Sequence, residues 1–244
     1  YLDTSGEALF KRGWRLETGD APLRENLAAG LLRVAGWKPG MVLLDPMCGS
    51  GTILAEAAQM LAGIPPGARR PFAFEKFHGF DGEEWRAIKG SVKPNPLPTT
   101  PTIFGSDISG DMIVMTRNNL NKAGILFEVP LKQIEAQAIK PPSETPGIIL
   151  TNPPYGERIG VRGDSTIETD EMASAFFSAF STALKQRFAG WSVFLFSADL
   201  GLPKLLRLKE ARKTPFFNGA LECRLFRFDM VAGFNRRDEA KPKQ

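Results

Sequence analysis

Short apolar runs bounded by turn residues alternate along the chain with stretches of helical periodicity. Residues 41–44, 103–108, 147–150 and 192–196 are brief and rich in Val, Ile, Leu and Phe, and read as buried strands. A further strand is expected within 127–138. Residues 221–228 alternate charged and apolar positions, with Glu222, Arg224 and Arg227 pointing outward, which suits an edge-exposed antiparallel pair with one wet face. Between the strands, Leu23, Leu27, Leu31 and Val34 recur at helical spacing, with Asp20 as N-cap and Pro22 in the first turn of a helix ending near Ala35. Helices are also expected at 52–61, at 110–123 with Met112, Met115 and Leu120 inward, and over 202–208. Another, over 170–188, places Met172, Phe176, Phe180 and Leu184 on its core face. The alternation gives an α/β fold, a doubly wound sheet with helices on both faces.

Two regions break this rhythm. Residues 1–15 carry Gly6 and Gly13 around a short run and read as a turn and a strand or hairpin leading into the domain, with Lys11, Arg12 and Arg15 as a basic cluster. Residues 63–102 read as an insertion with a short helix near 83–89. Its aromatics Phe72, Phe74, Phe77, Phe80 and Trp85 interleave with Lys76, Arg86 and Lys89, a pattern that invites nucleic acid. Pinning of the insertion to the sheet by its phenylalanines is the favoured reading. Residues 236–244 form a charged tail.

Composition narrows the classes. With 43% hydrophobic and 24% charged residues the 244-residue chain falls in the ordinary globular range. It shows no membrane-length apolar run and no signal-peptide pattern, so the cytoplasm is the expected compartment and no membrane partner is expected. Thirty-one Lys and Arg against 27 Asp and Glu leave +4, compatible with a polyanionic partner. Two cysteines, Cys48 and Cys223, and one histidine, His78, give no disulfide framework and no zinc-ligand spacing, so no metal is expected.

The candidate chemistry lies at two strand ends. After 41–44 come Asp45, Pro46, Met47, Cys48, Gly49, Ser50, Gly51 and Thr52, a glycine turn opening a helix whose free N–H groups suit a carboxylate. The turn lacks the third glycine of the dinucleotide fingerprint and the lysine of a phosphate-binding loop. After 147–150 come Asn152, Pro153, Pro154 and Tyr155. The prolines fix the backbone, so that Asn152 and proline carbonyls stand as rigid acceptors, while Tyr155 offers a flat face for stacking. Acceptors beside an aromatic plate suit a planar exocyclic amine, a poor nucleophile that is oriented and enriched in density when both its N–H groups donate. Asp107 and Ile108 end the strand at 103–108, where an acidic residue accepts ribose hydroxyls in nucleotide folds.

Residues 151–158, T-N-P-P-Y-G-E-R, together with 45–52, D-P-M-C-G-S-G-T, resemble the class I S-adenosylmethionine-dependent amino-methyltransferases. Among these the chain is most similar to the bacterial 23S rRNA guanine-N2 methyltransferases, whose methylase domain follows an RNA-binding THUMP domain. The resemblance implies a Rossmann-like, mostly parallel seven-stranded sheet with an antiparallel last strand. It also implies a connector over 1–20 and a methylase domain over 21–235. S-adenosylmethionine is the implied cofactor, giving S-adenosylhomocysteine, and is held by residues 45–52, Asp107, Ile108 and Asn152. Large-subunit ribosomal RNA is the implied partner, methylated at guanine N2 against Asn152, Pro153, Pro154 and Tyr155. The pattern departs from the family where an acidic residue would meet the adenine amino group, and Gln133 and Glu135 are both candidates there. DNA adenine N6 methylation and a silent nucleic-acid-binding module are the rival readings. Oligomeric state is not legible, with a monomer expected.

Overall fold

The structure, a computed structural model, describes residues 2–15, 23–154 and 167–231, without the side chains of 167–170. Its centre is a seven-stranded sheet of order β3-β2-β1-β4-β5-β7-β6. These strands are β1 Leu43–Asp45, β2 Ile103–Asp107, β3 Leu131–Gln133, β4 Ile148–Thr151, β5 Ser192–Ser197, β6 Arg212–Asn218 and β7 Leu221–Asp229. β1 pairs in parallel with β2 and β4, with Leu43 opposite both Ile103 and Ile148. β7 alone reverses direction, pairing antiparallel with β5 and β6.

Helices α1 Glu25–Val34, α2 Thr52–Ala62 and α4 Gly110–Lys122 cover one face of the sheet. Alternate strand residues are buried against that layer, among them Leu43, Ile103, Ile148, Leu150, Phe194, Phe196, Cys223 and Leu225. On the other face, Leu44, Ile149, Val193, Leu195, Phe226 and Phe228 pack against α5 Ile167–Arg187 and α6 Leu202–Leu206. Strands buried on both faces explain why their sequences read as continuous apolar runs.

Several expectations need correction. The helix expected from Pro22 begins at Glu25, capped by Arg24 without a side-chain bond, and Val34 is exposed; Asp20 and Pro22 lie outside the described residues. In α4 the fully buried apolar positions are Ile113 and Leu120, with Met112 and Met115 half-buried. Met172 of α5 is exposed at 56%. β7 is an interior strand, and the edge is β6, concealed in the sequence because Pro215 interrupts it.

The phenylalanines of the insertion do not pin it to the sheet. Phe72, Phe74, Phe80 and Trp85, the last on α3 Gly82–Ser91, form their own cluster with ring centroids 5.0–6.0 Å apart. Residues 2–15 pack beside this insertion and contain no strand; the Thr4 carbonyl accepts from the Phe74 amide at 3.1 Å and the Ala8 carbonyl from the Lys11 amide at 2.9 Å. Buried Arg70 donates to the carbonyls of Ser5, Glu7 and Ala8. Arg12 then pairs with Glu56 of α2 through two bonds of 3.0 and 3.3 Å, both side chains buried.

Candidate active site

The C-terminal ends of β1, β2 and β4 meet around a cavity of about 400 Å³, the place where a parallel α/β sheet keeps its ligand. Pro46, Met47 and Gly49 line it from the loop after β1, Asp107 and Ile108 from the end of β2, and Asn152 and Pro154 from beyond β4. Glu135, Ala136, Gln137 and Phe176 complete the wall. The two motifs far apart in sequence are thus brought to one cleft.

Asp107 organises the cleft floor. One carboxylate oxygen accepts from the Gly49 amide at 2.9 Å and the other from the Ser109 amide at 2.9 Å, tying the glycine loop to β2. Each oxygen retains a lone pair for a further donor. Gly51 stands at φ +80°, and a Cβ there would come within 2.6 Å of Thr116 Cγ2, so the turn into α2 requires glycine.

The other motif residues support the loop without lining the cavity. The Cys48 thiol is buried beside Thr116, and burial, reinforced by the Asp45 charge, raises it well above the ordinary thiol range. It is unsuited to nucleophilic chemistry. Ser50 presents its carbonyl to Asn119 Nδ2 at 2.9 Å. The Thr52 hydroxyl accepts from Arg15 at 2.6 Å, and Arg15 also binds the Leu23 carbonyl and pairs with Glu25 at 3.2 Å.

Asp45 is 1% exposed behind the loop. Burial pushes its carboxyl up to about 7, and the nearby Asp107 charge adds to the rise. The Thr151 hydroxyl, which faces it without closing a hydrogen bond of good geometry, and the Met47 amide at 3.3 Å act in the opposite direction.

Besides Thr151 Oγ1, two polar atoms of cavity-lining side chains are buried with no hydrogen-bond partner among the described residues: Asn152 Oδ1 and Gln137 Oε1. A buried acceptor left unpaired is costly, and both belong to side chains lining the cavity, so they fit a ligand that brings N–H groups. Gln137 is fixed by donating to Glu135 Oε2 at 2.7 Å. Gln133, the alternative to Glu135 in the sequence, instead donates to the Ile108 carbonyl and is absent from the cavity wall. Pro153 is buried outside the lining, and Tyr155 lies outside the described residues. Gln137 and Phe176 escape sequence reasoning. The first is aimed by a 3-10 turn over Ala136–Ala138, and the second sits on an apolar helix stripe that also serves the core. Among the described residues no group of three or more His, Cys, Asp and Glu could hold a metal ion.

A sheet of this order with β7 reversed, a glycine turn after β1, an acid at the end of β2 and an Asn-Pro-Pro segment after β4 define a class I methyltransferase domain. Residues 12–227 match the RMKL-like methyltransferase domain family (UPF0020), and the chain belongs to that family. It is 41% identical over 231 residues to the "Ribosomal RNA large subunit methyltransferase K/L" of Psychromonas ingrahamii, an alignment covering 91% of this chain and 29% of that protein. A possible methylase from Clostridium difficile 630 superposes with a TM-score of 0.81 at 32% identity, covering 99% of this chain and 59% of the other. SMU.472, whose structure holds SAH, gives 0.78 at 30% identity, covering 93% of this chain and 57% of the other. The chain spans about a third of the length of the curated relatives it matches.

Proposed function

We propose that this domain transfers a methyl group from S-adenosylmethionine to the exocyclic amino group of a base, guanine N2 in large-subunit ribosomal RNA, and that it does so in the cytoplasm. The observation that carries the reading is the buried Asn152 Oδ1, without a hydrogen-bond partner among the described residues and set at the end of β4 in the same cavity as Asp107 and the glycine loop. The names of the curated relatives support ribosomal RNA as the partner, and the SAH held by SMU.472 supports the cofactor.

S-adenosylmethionine supplies an electrophilic methyl on a sulfonium, which becomes a neutral thioether as the methyl leaves. The chain's own residues bind and align. Asp107 has lone pairs free for ribose hydroxyls, and the Glu135–Gln137 pair offers acceptors to the adenine amino group. The free N–H groups at the start of α2 suit the methionine carboxylate, and Asp45, where ionised, offers its charge to the methionine ammonium. Asn152 Oδ1 and a proline carbonyl accept the two N–H groups of the target amine, turning its lone pair toward the methyl. The methylated nitrogen then loses one proton to water. Alignment and acceptor placement lower the barrier, and the cysteine near the site takes no part.

DNA adenine N6 methylation would use the same acceptors. The deciding experiment offers labelled S-adenosylmethionine with protein-free ribosomal RNA and, separately, unmethylated duplex DNA, followed by digestion to nucleosides. Label in N2-methylguanosine is expected. Label in N6-methyl-2′-deoxyadenosine from DNA would overturn the substrate while keeping the chemistry.

A further inference from the structure

We propose that the outer face of the β6–β7 edge, with the turn that follows α6, is a track for an unpaired RNA strand flanking the target base. The proposal rests on the ribosomal RNA reading above.

Charge points to this surface first. Residues 201–229 hold seven Lys and Arg against three Asp and Glu, an excess as large as the +4 of the whole chain. Lys204, Arg207, Lys209, Arg212 and Lys213 are all exposed.

Register sorts the side chains of the hairpin. Phe216, opposite Cys223, turns toward the α1–α2 layer and meets Phe196 edge to face at 6.2 Å. Lys213, Pro215 and Phe217, opposite Phe226, Arg224 and Glu222, therefore face the α5–α6 side. The helices do not cover this edge: all three residues are exposed, and Phe217, a large ring, is 64% exposed. A cationic strip ending in an uncovered aromatic ring is how sequence-tolerant single-strand binders hold phosphate and stack a base.

Arg207 supplies an independent observation. Its backbone is left-handed, at φ 50° and ψ 40°, where it closes α6, and among the described residues it is the one non-glycine with positive φ. Glycine or asparagine would satisfy that position at less conformational cost. Its exposed side chain adds a cation to the strip at that conformational cost.

Position completes the argument. β6 runs parallel to β4, so Phe217 lies at the same end of the sheet as Asn152, three inter-strand spacings or about 14 Å across and, by register, three residues or about 10 Å further along the strands. A short single-stranded stretch spans that gap. The turn after β6 also brings Gly219 beside Arg24, which lies over the Phe10 ring at 5.0 Å and extends the basic rim.

The test titrates the full chain with a fluorescein-labelled single-stranded RNA of about 20 nucleotides and mixed sequence, following anisotropy between about 50 and 200 mM salt. The triple variant Arg207→Gly, Lys209→Gln, Lys213→Gln should bind at least about tenfold more weakly, with the salt slope reduced by about 2, at roughly 0.7 per lost phosphate contact. Phe217→Ser should weaken binding several-fold at unchanged slope, since it removes stacking and no charge. Arg207→Gly alone should melt no lower than the parent, and SAH binding should persist in every variant, excluding misfolding as the cause. Failure of the parent to bind the RNA overturns the proposal, and so does unchanged affinity and slope in the triple variant. A triple variant that keeps its RNA affinity but self-associates would show that the charges guard a sheet edge, and also overturns it. Methyl transfer by the parent distinguishes the two levels. Label in RNA with an unaffected triple variant sinks this inference alone, and label only in DNA sinks the reading beneath it.

Discussion

Asn152 carries the largest share of the proposed chemistry on the smallest number of atoms. Asn152→Ala should abolish most methyl transfer, by a factor of about 100 or more, while SAH affinity measured by calorimetry changes little. Equal loss of both would assign the residue to cofactor binding. Asp45 gives a pH signature. Its carboxyl titrates near 7 in the folded chain against an ordinary 3.8, raised chiefly by burial. Between about pH 4 and pH 7 the unfolded chain has lost this proton and the folded chain keeps it, so stability falls as pH rises through that window and levels off above it. Asp45→Asn should therefore gain in melting temperature relative to the parent from pH 4 to pH 8. The positive charge of S-adenosylmethionine would favour the ionised carboxyl, so its binding at pH 6 should release a proton. Calorimetry in buffers of different ionisation enthalpy reads that release, and none should appear in Asp45→Asn. At this scale the sequence shows residues that chemistry clusters into contiguous motifs. It hides Gln137, because only the 3-10 turn over Ala136–Ala138 aims that side chain into the cleft.

The glycine loop is the element on which the site depends. Gly51→Ala places a methyl 2.6 Å from Thr116 Cγ2 at a backbone with φ +80°. It should cost more than about 1 kcal/mol in urea denaturation and weaken SAH binding in parallel. Preserved stability and affinity would mean that the loop has another conformation to adopt. The central strands are legible because burial on both faces makes them apolar throughout. β6 is not, because an edge strand tolerates Pro215 and exposes Arg212 and Lys213, so neither alternation nor an apolar run marks it. In α5 the apolar stripe is legible but its limit is not: the stripe overruns the core, leaving Met172 in solvent and Phe176 at the cavity wall.

For the whole molecule, the doubly wound architecture follows from alternation of strands and helices, whereas the joining of residues 2–15 to the insertion does not. That union depends on single arginines reaching carbonyls and carboxylates more than forty positions away, which no periodicity records. Burial raises the Glu56 carboxyl and the Arg12 pairing opposes the rise. Glu56→Ala leaves Arg12 buried and unpaired, and should lower stability by about 3–5 kcal/mol in urea denaturation. Arg70→Met removes the guanidinium from the Ser5 and Glu7 carbonyls, while the Ala8 carbonyl keeps the Lys11 amide, and should speed tryptic cleavage after Lys11, with a smaller loss of global stability than Glu56→Ala. A shift in global unfolding as large as that of Glu56→Ala would make the segment part of the main cooperative unit.

The Arg70 clasp also has a mechanical side. Tension applied at residues 2–4 would first load the Phe74 amide on the Thr4 carbonyl and the Arg70 guanidinium on the carbonyls of Ser5, Glu7 and Ala8, and only after these the Arg12–Glu56 pair. These attachments are loaded one after another, so the clasp shields the Arg12–Glu56 pair and α2, the helix that begins where the glycine loop ends, until it gives way. A load on this segment thereby reaches the glycine loop last.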